Sequence, residues 1–452
     1  MESHKLKEQV ELIRQVFQYA HRFQGKTFVF KIDGPVMEQG FFPLLVKDLV
    51  LLYRQGIRIL LVPGAKKRID EVLTRYHIAW QTIDGVRLST AEAIPFIKMA
   101  AFDVANRLMT QLAANDADGV IGNWVKARGL GVRKGVDYQH TGAVEKVEVE
   151  IIRKILSEGL IPIFPNIGWN AMGTPYNISS SELACALSKG LGAEKLFFIS
   201  EHPGVNGARY RLPVGVTVSE EGLVTHLSVP EARALLELNE DRHGDELLKL
   251  VETACRACGE GVDRVHIVDA GIEGVVLKEI FSSRGCGTMI YANQHENVRA
   301  MAHGDIPEVL RIMQPFIEKE ILLSRSEEDL VQRLGEYVVY EVDGIIHACG
   351  ALHPSQEFPQ RAEIAAIAVD ETYTGLGIGK RILGYLLAWA GRLGLRQLYA
   401  LTTQTADWFM QFGFREGGVD DLPEQRRRSY DRQRNSRVLL LDLDPDRASG
   451  PA

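Results

Sequence analysis

The sequence predicts two successive α/β units: a larger one on a mostly parallel sheet covered on both faces by helices, then a smaller one that contains a hairpin. Three observations carry this. From Lys26 onward, short apolar runs alternate with helical stretches, the pattern of buried parallel strands joined by crossover helices. That alternation stops after GCGTMIYANQHE, and a different order of elements begins at about Asn297. The length of 452 residues also exceeds one ordinary core, so two or three domains are expected.

In chain order, residues 1–25 read as an amphipathic helix, because Val10, Ile13, Phe17 and Ala20 recur at helical spacing. It stands outside the first sheet. The first unit, 26–293, then offers strands at Phe28–Ile32, Ile57–Val62, Gly119–Gly122, Leu160–Phe164, Lys195–Ser200 and Arg264–Val268. The second unit, 297–445, begins with the short strand VRAMA. A helix over Asp305–Lys319 follows, with Asp305 as its N-cap and Pro307 in its first turn. Strands Glu336–Val342 and Ile345–Leu352 flank Asp343-Gly344, a two-residue hairpin signal. A strand at Arg361–Val369, a glycine-rich turn and a helix from about Gly379 to Leu393 come next. A strand at Gln397–Thr402, a short helix around Trp408 and a final strand at Arg437–Leu443 complete the unit.

Hydrophobic content of 46% and charged content of 25% are those of a soluble globular chain. A formal net charge of −7 gives no reason to expect nucleic acid or an anionic membrane as partner. No apolar run approaches the ~20 residues needed to span a bilayer, and the N-terminus lacks the apolar core of a signal peptide. Five cysteines make an odd, sparse set that suits a reducing compartment, so the expected location is the cytoplasm. Cys255 and Cys258 form a lone C-x-x-C in a helical stretch. With no second pair and no metal spacing among the twelve histidines, they read as packing thiols, and no metal is expected.

The segment AEIAAIAVDETYTGLGIGKRILGYLLAWA carries the clearest chemistry. A strand ending at Ala368 and Val369 runs into Thr374, Gly375, Gly377 and Gly379, and a helix follows directly. Glycines let successive backbone N–H groups face one concavity at a helix N-terminus, which suits a pyrophosphate. In this order of strand, turn and helix the segment resembles the GNAT acetyltransferases, whose phosphate loop reads Arg/Gln-x-x-Gly-x-Gly/Ala. Thr374 stands where that pattern has Arg or Gln. The resemblance implies acetyl-CoA as co-substrate.

Alternation along the strand puts Glu363 on one face with Ala365, Ile367 and Val369. An amine attacking a thioester must lose a proton, and Glu363 suits that role. The pattern equally fits a solvent-facing glutamate at a sheet edge. Thr402 stands where a hydroxyl can stabilise a departing thiolate, although strand threonines are common for β-propensity alone.

Longer strings extend the resemblance over nearly the whole chain. ILLSRSEEDL, LYALTTQTADWFMQFGF and DDLPEQRRRSYDRQRNS in the second unit resemble the bacterial N-acetylglutamate synthases of arginine biosynthesis. GVDYQHTGAVEKV, LGAEKLFFIS, GVDRVHIVD and LKEIFSSRGCGT resemble their amino-acid-kinase-like domain. The resemblance implies transfer of acetyl from acetyl-CoA to L-glutamate. It puts glutamate-binding guanidiniums at Arg325 and Arg434, backbone contacts at Leu323 and Ala366, the general base at Glu363 and an acid at Thr402. Ser324 replaces a second arginine of the usual motif, and Ala366 replaces a cysteine seen in some relatives. Residues 426–437 hold six arginines with Asp431 as the only acid, and Arg426–Arg428 read as a solvated helix face.

A phosphotransferase reading of the first unit meets Lys31-Ile32-Asp33-Gly34 where the kinases have Lys-x-Gly-Gly, and Ser181 where they have a catalytic aspartate. Asp33 sets negative charge against phosphates, so a bifunctional synthase/kinase is disfavoured. A non-catalytic arginine sensor is the remaining alternative, and retention of Glu363, Arg325, Arg434 and the glycine loop speaks against it. The resemblance further implies an allosteric L-arginine site at Tyr19, Lys195, Glu279, Gly285 and Gly287, and a homo-oligomer, often a hexamer. Lys195 and Glu279 are also open to a solvated reading.

Overall fold

The apolar runs of the first unit become strands buried on both faces. The computed structural model describes residues 21–443 except 84, 217, 220, 282–284, 293–295, 343–344 and 371–376. Most of the expected N-terminal helix, Tyr19 included, therefore lies outside the described residues. The chain divides into two compact units, Met1–Asn293 and Gln294–Ala452.

All six expected strands of the first unit lie in one eight-stranded sheet. They are β1 (Thr27–Ile32), β2 (Arg58–Pro63), β3 (Gly119–Ile121), β4 (Ile161–Ile163), β5 (Lys195–Ser200) and β7 (Arg264–Asp269). His226–Ser228 (β6) and Thr288–Tyr291 (β8) join them, in the order β6-β8-β7-β5-β1-β2-β4-β3. Only the β7–β8 pair is antiparallel. Alternate residues enter opposite cores. Phe28, Phe30 and Ile32 pack with the helices Phe42–Arg54 and Ile94–Ala113. Val29, Leu196 and Phe198 pack with Ser180–Leu191 and Glu246–Gly259. Burial on both faces is why these strands read as continuous apolar runs. Cys255 and Cys258 pack in the second of these cores, where burial pushes their thiols up to about 11 and about 12.

The second unit is a seven-stranded sheet: β9 (Glu296–Ala300), β10 (Tyr337–Val342), β11 (Ile345–Pro354), β12 (Arg361–Val369), β13 (Gln397–Thr402), β14 (Arg415–Gly417) and β15 (Arg437–Asp442). Its order is β9-β10-β11-β12-β13-β15-β14. Val342 pairs with Ile345, as a two-residue turn requires, and the turn residues Asp343 and Gly344 lie outside the described set. Helix α1 (Ile306–Glu318) with α2 (Glu327–Gln332) packs on one face, and α3 (Ile378–Arg392) on the other. The short helices α4 (Ala406–Met410) and α5 (Glu424–Arg428) complete the unit. Pro307 is in the first turn of α1 and Asp305 is its N-cap residue, as expected, but the Asp305 side chain makes no capping bond to α1. Its carboxylate turns back to the N–H of Ala302 at 2.7 Å and to Arg299, because a guanidinium is the stronger partner. Among the described residues no helix is long and apolar enough to cross a membrane.

Candidate active site

Strand β12 positions the centre of the second unit, and it is not a uniform strand. Residues 348–349 of β11 pair with 369–368 of β12, whereas Ala351 pairs with Ala365, so β12 holds one extra residue opposite Gly350. Ala366 takes a left-handed φ of 54° at this bulge. Parity changes there. Ala362 and Ile364 face α3, and so do Ile367 and Val369, while Ala365, Ala366 and Ala368 face the α1 core. Glu363 thus shares a face with Ala365 but not with Ile367 or Val369, which corrects the alternation expected from sequence. Gly350 is required here, since a Cβ would stand 2.6 Å from Ile382 of α3. On its other side β12 pairs with parallel β13 only from Arg361 to Ile364, so beyond Ile364 its backbone has no ladder partner on β13.

Glu363 lies between His353 of β11 and Tyr399 of β13 in the ladder. It is neither on an edge nor solvated, with a side chain 13% exposed. Both its oxygens accept from Arg426, at 2.7 Å from Nε and 3.0 Å from Nη2. Arg426 is therefore a site residue that the sequence reading set aside as solvated. Arg427 and Arg428 are exposed, as expected. The arginine run gave no signal to single out Arg426, because its partner is 63 residues away.

Arg325 and Arg434 converge on the same region. Arg325 donates to the Leu323 carbonyl at 3.1 Å, and Arg434 to the Ile321 carbonyl at 2.5 Å. Burial, then the charges of Arg426 and Arg325, hold the Arg434 guanidinium below its usual range. His353 bonds Glu336, and its imidazole is lowered to about 3 by burial, then by Arg333, Arg325 and Arg426. Burial, then the Glu363 charge, pushes the Tyr399 hydroxyl up to about 12. The centre thus gathers three guanidiniums, set against the acids Glu363, Glu336, Glu320 and Asp431.

At the end of β12, Ala368 is buried and Val369 half-buried. Thr374 and Gly375 lie outside the described residues. Gly377 is the N-cap of α3 at φ 74°, a conformation that favours glycine, and Gly379 is in the first turn. A Cβ on Gly379 would make only ordinary contact with Trp408. The Thr402 hydroxyl is already engaged: it accepts from the Thr405 N–H at 3.0 Å and meets the Thr405 hydroxyl at 2.7 Å. That bond closes the turn into α4, a structural duty alongside the expected chemical one.

In the first unit a cavity of about 1290 Å³ is lined by Lys31, Asp33, Gly34, Gly64, Arg87 and Ser181, among others. Lys31 pairs with Asp33, and Arg87 with Asp70, so the cation of the would-be phosphate site is neutralised by its own neighbour. A second polar group lies in the sheet. Lys195 and Glu279 are 1% and 7% exposed, which removes the solvated reading of both. Glu279 accepts from His266 Nδ1 at 2.7 Å and from the N–H groups of Cys286 and Gly287 at 2.8 and 3.1 Å. Burial alone raises a carboxyl, but His266 and these two N–H groups hold Glu279 below its usual range. Burial lowers His266, a partner the sequence reading missed. A lone histidine in a strand gives no sign of an acid 13 residues on. Gly287 leaves no room for a Cβ against the Ile267 carbonyl, and Gly285 takes φ 60° beside Glu279.

Comparison with known proteins covers both units. Residues 26–269 match the amino acid kinase family and residues 306–414 the acetyltransferase (GNAT) family. An amino-acid acetyltransferase of Ralstonia nicotianae is 32% identical over 445 residues, covering 96% of this chain and 95% of the relative. One from Escherichia coli is 32% identical, covering 96% and 98%. The crystal structure of N-acetylglutamate synthase from Neisseria gonorrhoeae complexed with coenzyme A and L-arginine is 30% identical and covers 96% of this chain and 99% of that one, with a TM-score of 0.82. The same enzyme complexed with coenzyme A and N-acetyl-glutamate aligns at a TM-score of 0.60.

Proposed function

Because the chain belongs to the amino-acid acetyltransferase family, we propose that it is an N-acetylglutamate synthase, transferring acetyl from acetyl-CoA to the α-amine of L-glutamate. One observation supports the substrate above all. Three guanidiniums, Arg325, Arg426 and Arg434, lie within reach of one another's charge, and Arg426 pairs with Glu363. L-glutamate brings two carboxylates, which suit fixed guanidinium forks.

In this reading Arg325 and Arg434 hold the substrate carboxylates, with backbone at Leu323 and Ala366 completing the contacts. The amine attacks the thioester carbonyl, and Glu363 takes its proton directly or through water. Arg426 orients Glu363. The unpaired backbone of β12 past Ile364, with Ala368, Val369, Thr374, Gly375, Gly377 and Gly379, holds acetyl-CoA at the positive end of α3. Thr402 stands beside the leaving thiolate. Kinetics with glutamate and glutamine test the reading. kcat/KM should be far higher for glutamate, because glutamine leaves one guanidinium without an anion. Equal values would overturn it.

The regulatory part of the proposal is that L-arginine binds the first unit at Lys195, Glu279, Gly285 and Gly287, with Tyr19, and lowers acetyl transfer. Calorimetry with L-arginine on the intact protein should show binding, and absence of heat would leave the unit without this role. Assembly as a homo-oligomer, readable by light scattering, and a cytoplasmic location, which five free thiols suit, belong to the same proposal.

A further inference from the structure

Helix α5 has five residues, too few for an isolated helix to persist, so the segment that carries Arg426 and Arg434 depends on ties to its surroundings. One such tie is the Arg426–Glu363 pair itself. Beyond α5 the Tyr430 hydroxyl donates to the Ser436 carbonyl at 2.7 Å, and Arg434 reaches the Glu320 and Ile321 carbonyls. Those bonds secure the far end. The near end is secured by a residue of the β11–β12 connection. Glu357 accepts from the N–H of Glu424 with one oxygen at 2.7 Å and from the N–H of Gln425 with the other at 2.6 Å. A second tie joins the same two regions, from Arg361 Nη2 at the start of β12 to the Asp421 carbonyl. Connection 355–360 is itself closed, by Ser355 N–H on the Arg361 carbonyl at 2.8 Å and Arg361 N–H on the Phe358 carbonyl at 2.9 Å.

We propose that Glu357 is a positioning residue of the transferase: its carboxylate fixes the start of α5 to the β11–β12 connection and so sets Arg426 against Glu363 and brings Arg434 into range of the substrate. The chemistry is that of an anion on two backbone N–H groups which have no helical acceptor. Both oxygens of Glu357 are taken up by backbone N–H groups, so its main effect passes through the backbone of α5, beside a minor effect of its charge on Tyr399. The inference rests on the proposed glutamate reaction, and its failure is separable from the failure of that reaction.

The experiment uses the full chain. Glu357→Ala should lower kcat/KM for L-glutamate roughly three- to thirtyfold, the span of a lost N-cap, while KM for acetyl-CoA and the melting midpoint stay close to wild type. Glu357→Gln keeps one carbonyl oxygen for one N–H and should recover part of the loss. Hydrogen exchange at the Glu424 and Gln425 amides should quicken in the alanine variant. Unchanged glutamate kinetics, or an equal change in the acetyl-CoA KM, would overturn the role of Glu357. A wild-type protein that acetylates no glutamate would instead overturn the proposed function, and the exchange measurement would still report whether Glu357 holds α5.

Discussion

Each unit buries an acid against a base, and the two pairs are finished to different degrees. Glu279 spends its oxygens on His266 and on two N–H groups of its own chain, in a pocket shut off from water. The carboxylate of that pair is satisfied, while His266 Nε2 is buried without a hydrogen-bond partner. Glu363 meets one arginine of three; Arg325 reaches the Leu323 carbonyl and the Tyr337 hydroxyl, and Arg434 the Ile321 carbonyl in the field of Asp431 and Glu320. A cluster of guanidiniums attracts anions, even where acids such as Glu363 and Asp431 offset part of its charge. In the proposed reaction the cluster takes further partners from the substrate, whereas Glu279 already holds three donors of its own chain.

The most direct way to break this contrast is to neutralise the two acids. Glu363→Gln should lower kcat by roughly 10²–10⁴-fold with little change in either KM. A variant with most of its activity intact would return the proton to water or to the substrate's own equilibrium. Glu279→Ala should instead cost the first unit about 3–5 kcal/mol by leaving buried partners unmet, read as a lower first transition in calorimetry. It should also weaken the arginine effect, and Glu279→Gln, which still accepts N–H bonds, should separate the two consequences.

Arg434→Ala sharpens the contrast at a smaller scale. It should raise KM for glutamate by roughly ten- to a hundredfold, the loss of a charged hydrogen bond, and leave acetyl-CoA binding intact. Acid should loosen both units. His266 and His353 titrate lower in the folded chain than the ordinary 6.5, so below that pH the unfolded chain takes up protons first and stability falls. For His353 the loss runs from about 6.5 down to about 3. Glu279, depressed from about 4.5, adds a loss of the same sign at lower pH. Burial raises Glu336, the partner of His353, and Asp48, which contribute with the opposite sign near the carboxylate range. Melting midpoints should therefore fall from about pH 7 toward about pH 5, where the histidines dominate, and a rise in that window would contradict the burial of both. Smallest of all, Arg427→Ala and Arg428→Ala should move stability and kinetics by less than about 0.5 kcal/mol, against a large loss for Arg426→Ala.

Much of this was legible from residues alone. Strands buried on both faces advertise themselves as apolar runs, and the segment around the glycine turn gave strand β12 and helix α3 in order. What escaped shares a cause. Arg426, His266 and Glu357 owe their meaning to partners brought near by folding, and no local spacing encodes a contact across 63 or 67 residues. Asp305 stands at the N-cap position read from sequence, but its carboxylate is drawn off the helix by Arg299 of the preceding strand. The reversal at Ala366 is a property of register with β11, which one strand read by itself does not display.

That reversal also makes β12 a strand whose reading frame can be edited. The extra residue at 366 restores in-and-out order on either side of itself, with Ala362 and Ile364 before it and Ile367 and Val369 after it facing the same helix. Excising Ala366 alone would leave Ala362, Ile364, Ile367 and Val369 in phase with α3 and straighten the backbone beside the β13 gap, at the cost of one small side chain in the α1 core. One codon's deletion would then erase the kink while keeping the packing against α3.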